Sequence, residues 1–209
     1  MERIEERRWK ERYVMKLKVG VMGSASSKMT GHHKILARAL GQAVAEADCI
    51  TITGACPGFP LEAARGAKES GGYVVGISPG LSLWEHTNKY GSPTEHHDVL
   101  IFTGSGLMGR EVVNIRSSDI VVIMGGRSGT LGEFAIAYDE GKLIGVLMGT
   151  GGITTEMKHI VNVMRKNTGS KIIYDDDPGR LVRKLLSYYT KEHFRHPSCH
   201  DGEGAVREG

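Results

Sequence analysis

The chain lacks the features that most quickly assign a function. It has no apolar run near the roughly 18 residues of a membrane span, and its aromatic content is only 6%. Its three cysteines, Cys49, Cys56 and Cys199, form no paired-Cys metal motif. Three thiols leave one unpaired, which predicts a reducing, cytoplasmic location rather than a disulfide scaffold. Basic and acidic residues nearly balance, 27 against 24, so a net charge of +3 gives no argument for a dedicated nucleic-acid binder. Binding of single-stranded DNA would need basic and aromatic groups along one face, a pattern the sequence does not display. There is no Walker loop, because Gly23 and Lys28 lack the second glycine and its spacing. Ser128 lies in Gly126-Arg127-Ser128-Gly129, without the spacing of a nucleophile elbow. The histidine pairs His32-His33 and His96-His97 are adjacent residues, which point apart on a helix or strand, and no resident metal or other cofactor is expected. His193, His196, Cys199 and His200 do not match a structural zinc site either.

What is present is a regular alternation of strand and helix patterns. Residues 17–22, 49–53, 73–77, 99–103, 120–124, 143–148 and 171–174 are short apolar, β-branched runs, and the segments between most of them repeat apolar residues at helical spacing. This predicts an α/β fold, a doubly wound, Rossmann-like parallel sheet of about seven strands with helices on both faces. Asp175-Asp176-Asp177-Pro178 supplies an N-cap and a first-turn proline for a last helix. Residues 1–16 read as a charged extension without a secretory signal, 17–190 as the domain, and 191–209 as a disordered tail. Residues 78–97, with two prolines, Trp84 and three histidines, read as a functional loop.

The most informative stretch runs from Ser117 to Glu133. Ile120-Val121-Val122-Ile123-Met124 reads as a strand buried on both faces, and Gly125, Gly126 and Gly129 shape a turn into a helix bearing Leu131, Phe134, Ala135 and Tyr138. Glycines there let backbone N–H groups converge on an anion at the helix's positive end. Thr130 is a candidate cap, and Glu133, one turn in, a candidate carboxylate beside the anion seat. A tight turn whose glycines serve geometry alone fits the stretch equally well. Gly104-Ser105-Gly106-Leu107-Met108-Gly109 matches the dinucleotide fingerprint, but the next strand ends in Met124-Gly125 where an acid for the ribose hydroxyls belongs, which argues against NAD.

Several stretches together resemble one family. The run Gly125-Gly126-Arg127-Ser128-Gly129-Thr130-Leu131-Gly132-Glu133 resembles the P-G-G-x-G-T-x-x-E signature of the LOG family, the cytokinin riboside 5′-monophosphate phosphoribohydrolases. Thr53-Gly54-Ala55-Cys56-Pro57-Gly58 and Glu62-Ala63-Ala64-Arg65-Gly66-Ala67 are similar to its T-G-G-G-P-G and E-A-A-x-x-G-A elements, and Gly23-Ser24 to its opening G-S. The likeness spans residues 17–186. It implies Arg110 and Glu133 as the catalytic pair, and Gly23, Ser24, Gly54, Gly125, Gly126, Arg127, Ser128, Gly129 and Thr130 as phosphate or nucleotide contacts. Gly125 stands where the signature has Pro, Arg127 where it has a second Gly, and Glu111 where the family often has Lys. The loop at 78–97 and the Arg116-Ser117-Ser118-Asp119 run are closer to a branch that includes the molybdenum cofactor carrier proteins, itself distantly similar to the core of DNA processing protein A. The resemblance implies cleavage of a nucleoside 5′-monophosphate to free base and ribose 5-phosphate, or carriage of a phosphorylated pterin or nucleotide without catalysis. It also implies a homodimer or larger assembly.

Overall fold

Seven parallel strands form one sheet in the order β4-β3-β2-β1-β5-β6-β7. The computed structural model describes residues 15–26 and 29–192, so the expectations for the N-terminal extension up to residue 14 and for the tail from 193 lie outside the described residues. The strands are β1 Lys18–Gly23, β2 Ile50–Thr53, β3 Tyr73–Ser78, β4 Val99–Phe102, β5 Ile120–Met124, β6 Leu143–Leu147 and β7 Lys171–Asp175. The helices are α1 Gly31–Glu46, α2 Phe59–Glu69, α3 Gly106–Arg116, α4 Ser128–Asp139, α5 Met157–Met164 and α6 Pro178–Lys191. The doubly wound α/β arrangement expected from the alternating pattern is the one observed.

Two apolar cores sandwich the sheet. On one face Val19 and Val21 of β1 and Val122 of β5 pack with Leu40 and Val44 of α1, Phe59 of α2, and Leu181 and Leu185 of α6. On the other, Met22, Val121 and Ile123 pack with Ile115 of α3, Phe134 and Ala137 of α4, and Met157 of α5. All five residues of β5 are buried, as a strand covered on both faces requires. Each such side chain contributes roughly 1.5–3 kcal/mol through burial, enough to override the weak helix-forming tendency of glycine-rich α4.

The E-A-A-R-G-A element serves packing. A side chain at Gly41 would stand 1.9 Å from the Ala63 carbonyl, and one at Gly66 2.0 Å from the Arg38 carbonyl, so both glycines let α1 and α2 touch backbone to backbone. Arg38 Nε donates to Glu62 Oε2 at 2.6 Å across the same contact. Three details depart from the sequence reading. The helical spacing ahead of β7 predicts a helix over 155–165; the structure has α5 at Met157–Met164, preceded by a separate 3-10 turn, Gly152–Thr155, and ended where Arg165 adopts φ +49°. The long loop contains a π turn, Glu85–Lys89, because His86 is fully buried and bonded to Ser78 Oγ at 2.9 Å and to the Pro93 carbonyl at 2.9 Å. The N-cap of α4 is Arg127, with no side-chain cap bond, so Thr130 lies inside the first turn. Asp177 does cap α6, accepting from the Arg180 N–H at 2.5 Å.

Candidate active site

From β1 the sheet winds outward through β2 to β4, then crosses back so that β5 pairs with the other side of β1. Ligands in open α/β sheets bind at this reversal, beyond the carboxyl ends of the strands. A cavity of about 650 Å³ opens there, walled by Gly23, Ser24, Ala25 and Ser26 after β1, Gly54 and Cys56 after β2, α3, and the start of α4. The dinucleotide-like glycines follow the edge strand β4 instead. The Gly104 N–H donates to the Gly80 carbonyl and the Gly106 N–H to the Pro79 carbonyl, so these amides tie down a neighbouring loop.

Arg110, on α3, is buried at 7% exposure, and its Nη1 donates to the Gly54 carbonyl at 2.7 Å. A side chain at Gly54 would meet that guanidinium at 1.6 Å, so glycine there is a condition for the arginine's position. Arg110 Nε has no partner, and no carboxylate lies within ion-pair distance of this side chain among the described residues. The Glu111 and Glu133 carboxyls act on this charge electrostatically without forming an ion pair with it, and the open side of the cavity leaves room for an anion to meet it directly.

Glu133, on α4, is also buried and faces the same cavity. Burial pushes its carboxyl up to about 7, with Glu111 adding to the rise and the Arg110 charge opposing it. The Asn114 amide lies beside that carboxyl and is otherwise unpartnered although fully buried. Glu111 lines the cavity too, its carboxyl raised by burial. The Cys56 thiol, next to Arg110, is likewise pushed up by burial.

The signature loop divides its labour. Gly125, at φ +50°, gives its N–H to Thr150 Oγ1 at 2.9 Å, and a side chain there would strike Phe59. Gly126, at φ +89°, leaves no room beside Thr130, and its carbonyl accepts from the Ile153 N–H at 3.0 Å. Arg127, Gly129, Thr130 and Glu133 line the cavity with Gly23, Ser24, Gly54 and Arg110, whereas Gly125, Gly126 and Ser128 do not. Arg127 is exposed at the rim, its backbone carbonyl accepting the Leu131 N–H at 2.9 Å. Leu107, Glu111, Asn114 and Cys56 were not singled out as site residues by sequence reasoning. Cys56 and Leu107 sit within motifs already read and Glu111 was read as a departure from the family pattern, while Asn114 emerges only once α3 packs against α4. Among the described residues no group of three or more His, Cys, Asp or Glu gathers as a metal site, and no helix is long and apolar enough to cross a membrane.

Residues 16–182 match the SLOG cluster4 family. The chain belongs to this family. An uncharacterised protein of Archaeoglobus fulgidus is 34% identical over 131 residues, 63% of this chain and 80% of that protein. The molybdenum cofactor binding protein of Rippkaea orientalis is similar in structure, with TM-score 0.69 and 26% identity over 84% of this chain and 98% of its own. The molybdenum cofactor carrier protein of Chlamydomonas reinhardtii gives TM-score 0.68 and 26% identity over 85% and 100%. This SLOG chain also shares its fold with DNA processing protein A of Helicobacter pylori, at TM-score 0.59 and 18% identity over 82% and 80%.

Proposed function

We propose that this SLOG protein holds a small phosphorylated ligand, a nucleoside 5′-monophosphate or a phosphorylated pterin such as molybdenum cofactor. The observation that carries the proposal is Arg110, a buried guanidinium without a carboxylate partner in a cavity that ends at the start of α4. The uncapped first turn of α4 and the rim guanidinium of Arg127 form the phosphate seat, since free helix amides and a bidentate arginine both favour a phosphate. Similarity to two molybdenum cofactor proteins supports a carrier reading. The test is calorimetric titration of the full chain with AMP, GMP and ribose 5-phosphate. Binding of all three would support a phosphate-anchored site, and binding of none would overturn it.

A second reading, hydrolysis, is favoured by Glu133 facing the Arg110 cavity. Cleavage of an N-glycosidic bond builds positive charge on the ribose and negative charge on the base. An ionised Glu133 would stabilise the former and orient the attacking water, while Arg110 would stabilise the departing base. Incubation with AMP, followed by assay for adenine and ribose 5-phosphate, tests it. Release that vanishes in Glu133→Ala would support hydrolysis; binding without release would leave the carrier reading.

A further inference from the structure

Helix α3 packs against α4 along a strip that holds Arg110, Glu111 and, one turn on from Arg110, Asn114. Glycines of α4 leave room for the strip. Glu111 Oε1 and Oε2 stand 3.5 and 3.2 Å from where side chains at Gly129 and Gly132 would begin. Asn114 is fully buried, yet neither its Nδ2 nor its Oδ1 has a hydrogen-bond partner. Asparagine inside a helix and an unpaired amide away from water are each unfavourable, so packing alone does not account for this residue. Its place is fixed from the sheet side. The Asn114 carbonyl accepts from Ser118 Oγ at 2.8 Å, and Ser118 lies over Gly20 of β1, where a side chain would stand 2.2 Å from that hydroxyl. The amide held in this way lies beside the Glu133 carboxyl and favours its ionised form.

We propose that Asn114 is the positioning residue of Glu133, its amide holding that carboxyl in one place through both protonation states. Nδ2–H donates to the ionised carboxylate; with the amide plane turned over, Oδ1 accepts the O–H of the neutral acid. Glu133 exchanges its proton with water through the cavity that it lines. An amide suits this task, because an aliphatic side chain offers neither group and an aspartate would add another buried carboxyl. The charged and titratable groups acting on Glu133 are Arg110 and Glu111 from α3 and the Cys56 thiol from the turn after β2. Strands β5 and β6 beneath α4 carry none, β1 carries only Lys18, paired with Asp119 at 2.7 Å, and the 3-10 turn brings threonine hydroxyls. This role rests on Glu133 being the working carboxylate of the cavity, yet it is read without ligand or turnover, so a failure to bind AMP or to release adenine would be a separate outcome.

Carbon-13 NMR of the glutamate carboxyls across the neutral pH range tests the assignment in the full chain, with the Glu133 resonance identified by its loss in Glu133→Gln. The unaltered protein is expected to show a Glu133 midpoint of about 7. Asn114→Leu is expected to raise that midpoint by about one pH unit, a tenfold gain in proton affinity, because the carboxylate loses a donor. An unchanged or lowered midpoint in the folded variant would overturn the role. A second measurement needs no variant at position 114. In the unaltered protein the Asn114 Nδ2 proton resonances are expected to move with pH at the Glu133 midpoint, as an amide that serves both states requires. Resonances that stay constant across that titration would overturn the role as well, whether or not Asn114→Leu folds, since a purely structural amide has no reason to follow the carboxyl.

Discussion

Glu133 is the residue whose environment makes the sharpest prediction. Its carboxyl titrates near 4.5 in an unfolded chain and near 7 in the folded protein, so folding retains a proton through that interval. Below pH 4.5 both states are protonated and the residue contributes no pH dependence; between 4.5 and 7 stability falls as pH rises, and above 7 the loss is complete. Glu133→Gln is therefore expected to match the unaltered protein near pH 4 and exceed it at pH 8 by on the order of 2–3 kcal/mol, read from urea unfolding at both pH values. The same titration bears on the proposed ligand. From pH 7 to 8.5 a phosphate monoester is already a dianion, so affinity for AMP is expected to fall as Glu133 gains charge, and Glu133→Gln to remove that fall. Arg127→Ala is expected to weaken AMP binding by roughly tenfold in calorimetry, about the contribution of one charge-assisted phosphate contact, with little change in stability because the side chain is exposed.

At the scale of elements, the loop between β3 and β4 is held by imidazoles. His86 is bonded at both ring nitrogens, and since Nε2 must donate to the Pro93 carbonyl, a neutral ring accepts at Nδ1 from Ser78 Oγ. His97 Nε2 lies 3.0 Å from Thr53 Oγ1, and burial lowers its pKa, favouring the neutral ring. His86→Ala would leave a cavity and unpartnered groups, and is expected to cost roughly 2–4 kcal/mol in chemical denaturation. Faster amide hydrogen exchange confined to residues 80–97 would accompany it, and an unchanged exchange pattern would contradict this account. The α6 start works by charge. Asp175 accepts from Arg180 and Lys184, which hold its carboxyl well below the usual carboxylate range. That contribution is present above pH 4 and is lost as pH falls.

Over the whole molecule, the helices on the α3 face cover the sheet unevenly. The second core involves β1, β5 and β6, whereas Val99 and Ile101 of β4, paired with Val75 and Ile77 of β3, are 38% and 45% exposed. Tyr73, on the same face as Val75, is 48% exposed. An apolar strand face left open at a sheet edge invites another chain. If the homodimer or larger assembly implied by the LOG-like resemblance forms, this face, open among the described residues, is the one we would assign to a second copy. Ile101→Arg is expected to shift the assembly to monomer in size exclusion with light scattering, and a monomeric unaltered protein would refute the assignment.

The alternation of apolar runs was enough to determine seven strands and their doubly wound class, because each buried strand has to be apolar on both faces and each helix on one. The glycine-rich turn at 125–129 and the Asp177-Pro178 start of α6 were equally legible, since turn glycines and an Asp-Pro cap act locally, whereas the cap expected at Thr130 did not form. What only tertiary structure decided is non-local. It brought Gly54 under the Arg110 guanidinium, set Asn114 beside Glu133 at the cavity, and spent the Gly125 amide on Thr150. The burial that leaves Arg110 without an ion pair and raises the Glu133 pKa depends on elements far apart in the chain, and no spacing of residues along it encodes it directly.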